Sequence, residues 1–320
     1  MSKALEGRAR SRTATLLALA ALAIAWPCAA QPAGSDPDAG VVITDVGARL
    51  SLSPKRLTFV GPRRSATVYV HNGGPAATFD VTLVDRMMGP DGLIVSVDEA
   101  RQSPALGEIA ARVRSARAMI AVSPRRLALG PGEGATLRIS LTGDEAAVAG
   151  EFRTHLTVSA MPPAEVGLSA DAAAAGHTGE PVQLKALWAF SIPVIVRPEA
   201  TDARAAIENA QVRRSPAGGE GPVLAFDLVR LGASSLFGNL VVRKRAGGVE
   251  TQLFVLRGVG LYPEISRRRF KAPLGAAVGD NDVLEVVFVD DDVRPGEMLA
   301  SHVLPAAQAA YAAVEGTAGR

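Results

Sequence analysis

Residues 181–198 read PVQLKALWAFSIPVIVRP, and this stretch decides the fold. Its even positions, Val182, Leu184, Ala186, Trp188, Phe190, Ile192 and Val194, are all apolar. Its odd positions begin polar with Gln183 and Lys185 and drift apolar through Leu187, Ala189 and Pro193. A period of two belongs to a strand, because successive side chains leave a pleated backbone on opposite faces. At ~3.3 Å per residue the stretch predicts one strand of about 50 Å, longer than most strands of globular domains. Pro193 has no N–H to donate, which places it on a sheet edge or at a bend. A long apolar strand on a border is a template for pairing with another chain.

Upstream, residues 162–180 (PPAEVGLSADAAAAGHTGE) hold few bulky side chains and predict a mobile loop leading into that strand. Further back, short alternating runs are separated by turn residues. Arg49–Leu52 and Arg56–Val60 flank Ser53-Pro54, and Ala66–His71 stops at Asn72-Gly73-Gly74-Pro75. Thr78–Asp85 follows, and Pro90-Asp91-Gly92 turns the chain into Leu93–Val97. Met119–Val122, Arg126–Leu129, Ala135–Thr142 and Phe152–Ala160 complete the set. Many short strands with Gly/Pro punctuation predict an antiparallel sandwich. Ser103-Pro104 interrupts them with a helix start, and Leu106, Ile109, Ala110 and Val113 share one face, predicting a short helical insertion packed on the sandwich.

Downstream the same style repeats over residues 204–304. The candidate strands are Ala206–Arg213, Val223–Arg230, Gly238–Arg245, Thr251–Arg257, Val283–Asp290 and Met298–Leu304, with turns at Gly218-Gly219, Gly247-Gly248 and Pro295-Gly296. A second small sandwich is expected there. Arg267-Arg268-Arg269 reads as a solvated charged face.

The 320 residues suffice for two domains. Lys3, Arg8, Arg10 and Arg12 precede the Ala/Leu-rich run Thr13–Trp26, and small residues follow at Cys28-Ala29-Ala30. That is the pattern of a secretory signal peptide cleaved near Ala30, too short to span a membrane. The expected organisation is a signal peptide at 1–30, a flexible lead-in at 31–45, sandwich domains at 46–197 and 198–307, and a frayed tail at 308–320. Cleavage removes the single cysteine, so the cores must hold the mature chain without a disulfide. It also removes four of 34 cationic and one of 32 acidic residues, leaving 30 against 31. Nothing in that balance argues for nucleic acid, and no later run is apolar enough for stable membrane insertion.

Catalytic patterns are missing. His71, His155, His177 and His302 stand apart, without a second His or a Cys at ligand spacing. Gly130-Pro131-Gly132-Glu133-Gly134 lies between two strands without the helix and Lys of a phosphate loop, and reads as a turn. Asp290-Asp291-Asp292 does not have calcium-loop spacing. The expectation is a non-enzyme with no metal and no cofactor.

The ordered set SPKRLTFVGPRRSATVYVHN (53–72), SPRRLALGPGEGATLRISL (123–141), GEFRTHLTVSAMPP (150–163) and the long strand ending IVRP resembles the periplasmic chaperones of pilus and fimbria assembly. The match covers most of residues 48–198; the second half matches only in outline. The resemblance implies an all-β chain of two immunoglobulin-like β-sandwich domains in an L arrangement. It implies as partners pilus or fimbrial subunits, with an outer-membrane usher, in the periplasm. It further implies that the chaperone lends a strand to a subunit lacking its last one, an instance of strand addition. Here Val182, Leu184, Ala186, Trp188 and Phe190 would be the inserted side chains. The family grips the subunit's C-terminal carboxylate with two cations. Arg56 matches one, and Arg suits a two-bond grip. Ser191 stands where the family has Lys, a departure; Lys185 lies about 20 Å up an extended chain. Arg197 matches the hinge Arg and Glu151 its acidic partner, with Asp290 to Asp292 offering a further one, assigned to Asp291. Such a network sets interdomain geometry more than it adds stability.

Two other readings compete. One is a structural or adhesive cell-envelope protein using sandwiches as a rigid scaffold, which Ser191 favours. The other, a carbohydrate-binding sandwich, calls for clustered aromatics, and two Trp, three Tyr and nine Phe argue against it.

Overall fold

The computed structural model describes residues 42–46, 49–142, 149–162, 183–198, 201–213, 222–275, 278–279 and 281–306, with 42–46 and 183–185 described by their backbone alone. The expected signal peptide, most of the expected lead-in, residues 163–182 including Val182, and the expected tail lie outside the described residues.

The first sandwich begins with β1 (Val42–Val46), β2 (Leu50–Ser53), β3 (Leu57–Val60), β4 (Ser65–Asn72) and β5 (Ala77–Val84). An excursion follows, with a hairpin β6 (Arg86–Met88) and β7 (Ile94–Ser96) and two short helices, α1 (Val97–Arg101) and α2 (Gly107–Ala110). The sandwich resumes with β8 (Ile120–Ser123), β9 (Arg126–Leu129), β10 (Gly134–Leu141), β11 (Phe152–Ala160), β12 (Gln183–Leu187) and β13 (Ala189–Arg197). One sheet has the order β2-β4-β10-β8 and faces a second of order β3-β13-β11-β5-β9. This is the immunoglobulin-like arrangement of two sheets over one core, antiparallel except that β3 runs parallel to β13. Period-two patterning builds it: in β4 the buried positions Ala66, Val68, Val70 and Asn72 alternate with more exposed ones. Two border strands change sheets. The chain leaves β2 for β3 at Ser53-Pro54 and β8 for β9 at Ser123-Pro124, both cis.

The second sandwich comprises β14 (Ala205–Arg213), β15 (Val223–Arg230), β16 (Leu236–Ala246), β17 (Val249–Leu261), β18 (Arg267–Pro273), β19 (Val283–Asp290) and β20 (Met298–Pro305). A three-stranded sheet β14-β15-β18 covers a four-stranded sheet β17-β16-β19-β20 around Phe226, Leu228, Leu240, Val242, Val286 and Phe288.

Two expectations change. The long strand breaks at Trp188 into β12, which runs parallel to β1, and β13, which joins the sandwich. The insertion is two one-turn helices rather than one helix capped by Ser103, because Leu106 N–H and Gly107 N–H both close a turn on the Ser103 carbonyl. The insertion packs on both domains: Leu106 and Val113 cover a small cluster around Met87, while Met88 lies within the second-domain core and Ile109 packs against it. Arg267 to Arg269 keep the expected solvated character, with Arg267 and Arg269 exposed. They open β18, where Arg267 and Arg269 clamp the buried Asp227 at 3.1 and 3.0 Å.

Candidate functional site

Strand β13 is shared between the domains. Its even side chains, Ile192, Val194 and Val196, lie in the first core, and Phe190 packs against that core. Its odd positions face the other way: Ile195 is in the second-domain core, and Ala189, Ser191 and Pro193 line a cavity between the domains. Burial on both faces is the reason the odd positions turn apolar toward the hinge.

The same parity governs its backbone. Ala160 N–H donates to the Trp188 carbonyl, so even residues of β13 turn their main-chain groups toward β11 and odd residues turn theirs outward. On that outward side β3 pairs only from Val194 to Arg197, and β1 pairs with β12 only up to Leu187. Among the described residues, no strand lies opposite Ala189 to Pro193. Pro193 therefore sits where its missing N–H costs no ladder bond. Leu187 and Trp188, just before this open border, are 44% and 46% exposed.

The expected inserted side chains thus divide. Trp188 is exposed and Ala186 half-buried. Leu184 is placed by its backbone, opposite Ile43 of β1, and Val182 lies outside the described residues. Phe190 packs against the first core, on the face it shares with Ile192 and Val194, whereas Trp188 stands opposite Ala160, the last residue of β11.

At the hinge, Arg197 is buried and donates through Nε to Glu151 Oε2 at 2.8 Å and through Nη2 to Ser235 Oγ at 2.9 Å. Ser235 returns its N–H and hydroxyl to the same Glu151 oxygen. Asp292 Oδ2 lies 2.8 Å from Arg197 Nη1, a charge contact without hydrogen-bond alignment, and accepts from Arg56 Nη2 at 2.8 Å. The second-domain acid of this network is Asp292, not Asp291. The Asp290 carboxylate accepts from Asp292 N–H and Arg294 N–H, and this turn points Asp292 inward while Asp291 is left exposed.

Arg56 is therefore paired, and its guanidinium also stacks 4.6 Å from the Phe237 ring. Burial lowers its pKa more than Asp292 raises it. For Arg197 burial acts in the same direction, but Glu151 and Asp292 outweigh it and raise the pKa. The Ser191 Oγ shares a hydrogen bond of 2.7 Å with Thr157 Oγ1.

A second buried network escaped the sequence. Arg153 on β11 grips Glu264 of the second domain with Nη2 at 2.6 Å and Nη1 at 3.2 Å, and stacks 3.7 Å from the Tyr262 ring. Glu264 also accepts Met88 N–H at 2.7 Å. The one signal available was Arg153 and His155 standing inside a strand otherwise built like a core strand. The adjoining cavity, about 310 Å³, is lined by Arg86, Ile94, His155, Ser191 and Tyr262. Burial, reinforced by Arg153 and Arg86, lowers the His155 pKa to about 3, so the imidazole is neutral. Among the described residues no cluster of His, Cys, Asp and Glu could hold a metal, and no helix is long and apolar enough to cross a membrane.

No family model and no curated protein matches the chain. Among solved structures it is similar to the E. coli chaperone DraB, with 17% identity over 83% of this chain and 98% of that one, TM-score 0.41. It is similar to the CupB2 chaperone of Pseudomonas aeruginosa, with 13% identity over 79% and 98%, TM-score 0.37. A third is the chaperone–tip subunit pre-assembly complex of the Csu pili of Acinetobacter baumannii, with 12% identity over 80% and 97%, TM-score 0.40.

Proposed function

We propose that this chain is a periplasmic chaperone that stabilises pilus or fimbrial subunits by lending them an edge strand before assembly. The observation that carries the reading is the open border at Ala189 to Pro193, adjoined by the exposed side chains of Leu187 and Trp188. The ordered sequence resemblance over residues 48–198 supports it. Strand addition takes its affinity from outward main-chain groups and its register from alternate side chains, and β12–β13 offers both. The inserted set is Val182, Leu184, Ala186 and Trp188. It excludes Phe190, which the first core holds. The client's strand would compete with or displace β1, the present neighbour of β12.

Arg56 keeps the carboxylate role in this reading, since its Nε and Nη1 are buried donors without an acceptor. Its charge is shared with Asp292 and no Lys stands at Ser191, so the grip is weaker than the family's two-cation arrangement. Arg197, Glu151 and Asp292 hold the domain angle.

The test is co-expression with a pilus subunit lacking its last strand, followed by purification from the periplasm. The wild type should recover the subunit, and Leu184→Asp with Trp188→Asp should lose it while circular dichroism stays unchanged. Undiminished recovery by that double variant refutes the donor role and leaves the scaffold reading.

A further inference from the structure

The first sandwich has a second unpaired seam, on the border opposite β13. Strand β9 covers the edge of β5 only from Ala77 to Asp80. Val81 N–H donates to the Arg125 carbonyl, and the chain before Arg125 belongs to β8 in the other sheet. Parity then turns the N–H and C=O of Leu83 to the same side as those of Val81, with no strand opposite among the described residues. Across the seam, β8 pairs with β10 alone. Thr142 N–H bonds the Met119 carbonyl, so Val122 turns its main-chain groups away from β10 and out of the sheet.

Between these edges lies a cavity of about 710 Å³ walled by Asp80 to Leu83, Ile120 and Val122. Arg117, Arg125 and Arg126 complete its lining. The one acid, Asp80, is taken by Arg126 at 3.0 Å. Arg117 and Arg125 are exposed and, among the described residues, have no acidic partner. The seam thus combines an unpaired backbone edge, a floor where the core residues Val81, Ile120 and Val122 come to the rim of the sandwich, and two cations without an acidic partner among the described residues.

We propose that this seam binds an extended acidic segment of a partner protein. The segment continues the line that β9 leaves and adds as a strand along β5. Its main chain bonds the N–H and C=O of Leu83, its alternate carboxylates meet Arg117 and Arg125, and its intervening apolar side chains cover Val122.

The test uses the mature protein and three capped hexapeptides, alternating Val with Glu, Gln or Lys, with short single-stranded DNA as a polyanion without strand-forming main chain. The Glu peptide should bind about tenfold more tightly than the Gln peptide, the scale of two exposed charge pairs. Arg117→Glu with Arg125→Glu should invert the order in favour of the Lys peptide. Leu83→Pro should lose the Glu peptide, and Leu83→Ala should keep it. If Leu83→Pro does not fold, slowed hydrogen exchange of the wild-type Leu83 amide on adding the Glu peptide replaces it. Equal affinity for the Glu and Gln peptides, DNA binding as tight as the Glu peptide, or an unprotected Leu83 amide would each overturn the proposal. The seam lies on the side of β5 turned away from β11 and β13, and subunit recovery by the Arg117→Glu, Arg125→Glu variant, expected unchanged, separates this proposal from the donor-strand reading.

Discussion

Arg56 of the first sandwich donates to Asp292 of the second at 2.8 Å, and the same Asp292 oxygen lies equally close to Arg197. Asp292 is therefore the counter-charge of Arg56 and, beside Glu151, the second carboxylate on Arg197 across the domain boundary. Replacing Asp292 with Asn should cost about 3 kcal/mol, because the buried Arg56 loses its counter-charge while Arg197 keeps only Glu151. Asp291→Asn, one residue away but exposed, should change stability by less than about 0.5 kcal/mol. Denaturant unfolding of the two variants compares them directly.

The neutral His155 predicts a pH dependence. Its folded pKa of about 3 lies below the unfolded value of 6.5, so between them the unfolded chain binds the extra proton. Stability from this residue is full above pH ~6.5 and falls as pH drops toward 3, by at most about 1.4 kcal/mol per pH unit. His155→Gln should flatten that part of the stability curve. A curve of unchanged slope would show that His155 is not the group responsible.

Met88 belongs to the first-domain excursion but is buried in the second-domain core. Met88→Ala should cost about 2–4 kcal/mol through the cavity left behind. The loss should appear in the second domain, as increased hydrogen exchange in β16 and β19, although the substitution lies in the first half of the chain.

Gly238 and Gly134 offer a contrast. A Cβ on Gly238 would overlap the Val289 carbonyl of the paired strand β19, a backbone atom that cannot step aside. Gly238→Ala should therefore cost at least about 2 kcal/mol. At Gly134 the obstacle is the far end of the half-exposed Tyr69 side chain, which can swing into solvent. Gly134→Ala should express and melt like the wild type.

How much of this was legible follows from where each signal resides. Strands such as β4, β8 and β9 announce themselves because each buries one face, and a half-buried strand must alternate. Within the excursion from Arg86 to Val113 the turn at Pro90-Asp91-Gly92 and a helix after Ser103 were legible, but not the bridge to the second domain, because a Met at position 88 carries no mark of which core receives it. Glu151 and Arg197 could be paired through a resemblance. Arg153 and Glu264 could not, since 111 residues separate them and nothing local in either strand or turn records the partner. The choice between Asp291 and Asp292 rests on a turn closed by Asp290, a geometry that three identical residues in a row do not encode by type.

The amino-acid order alone determined the periodic strands, the two-sandwich organisation and the long alternating stretch ending at Pro198, because pleat, turn chemistry and the absent N–H of proline act over a few residues. Only the tertiary structure decided that the first half of that stretch pairs with β1, that Ile195 enters the second-domain core while the border at Ala189 to Pro193 stays open, which carboxylate serves Arg56, and where a second bare seam lies. Those outcomes depend on pairing register and on charges brought together from distant parts of the chain, and both come into being when the two sandwiches close against each other.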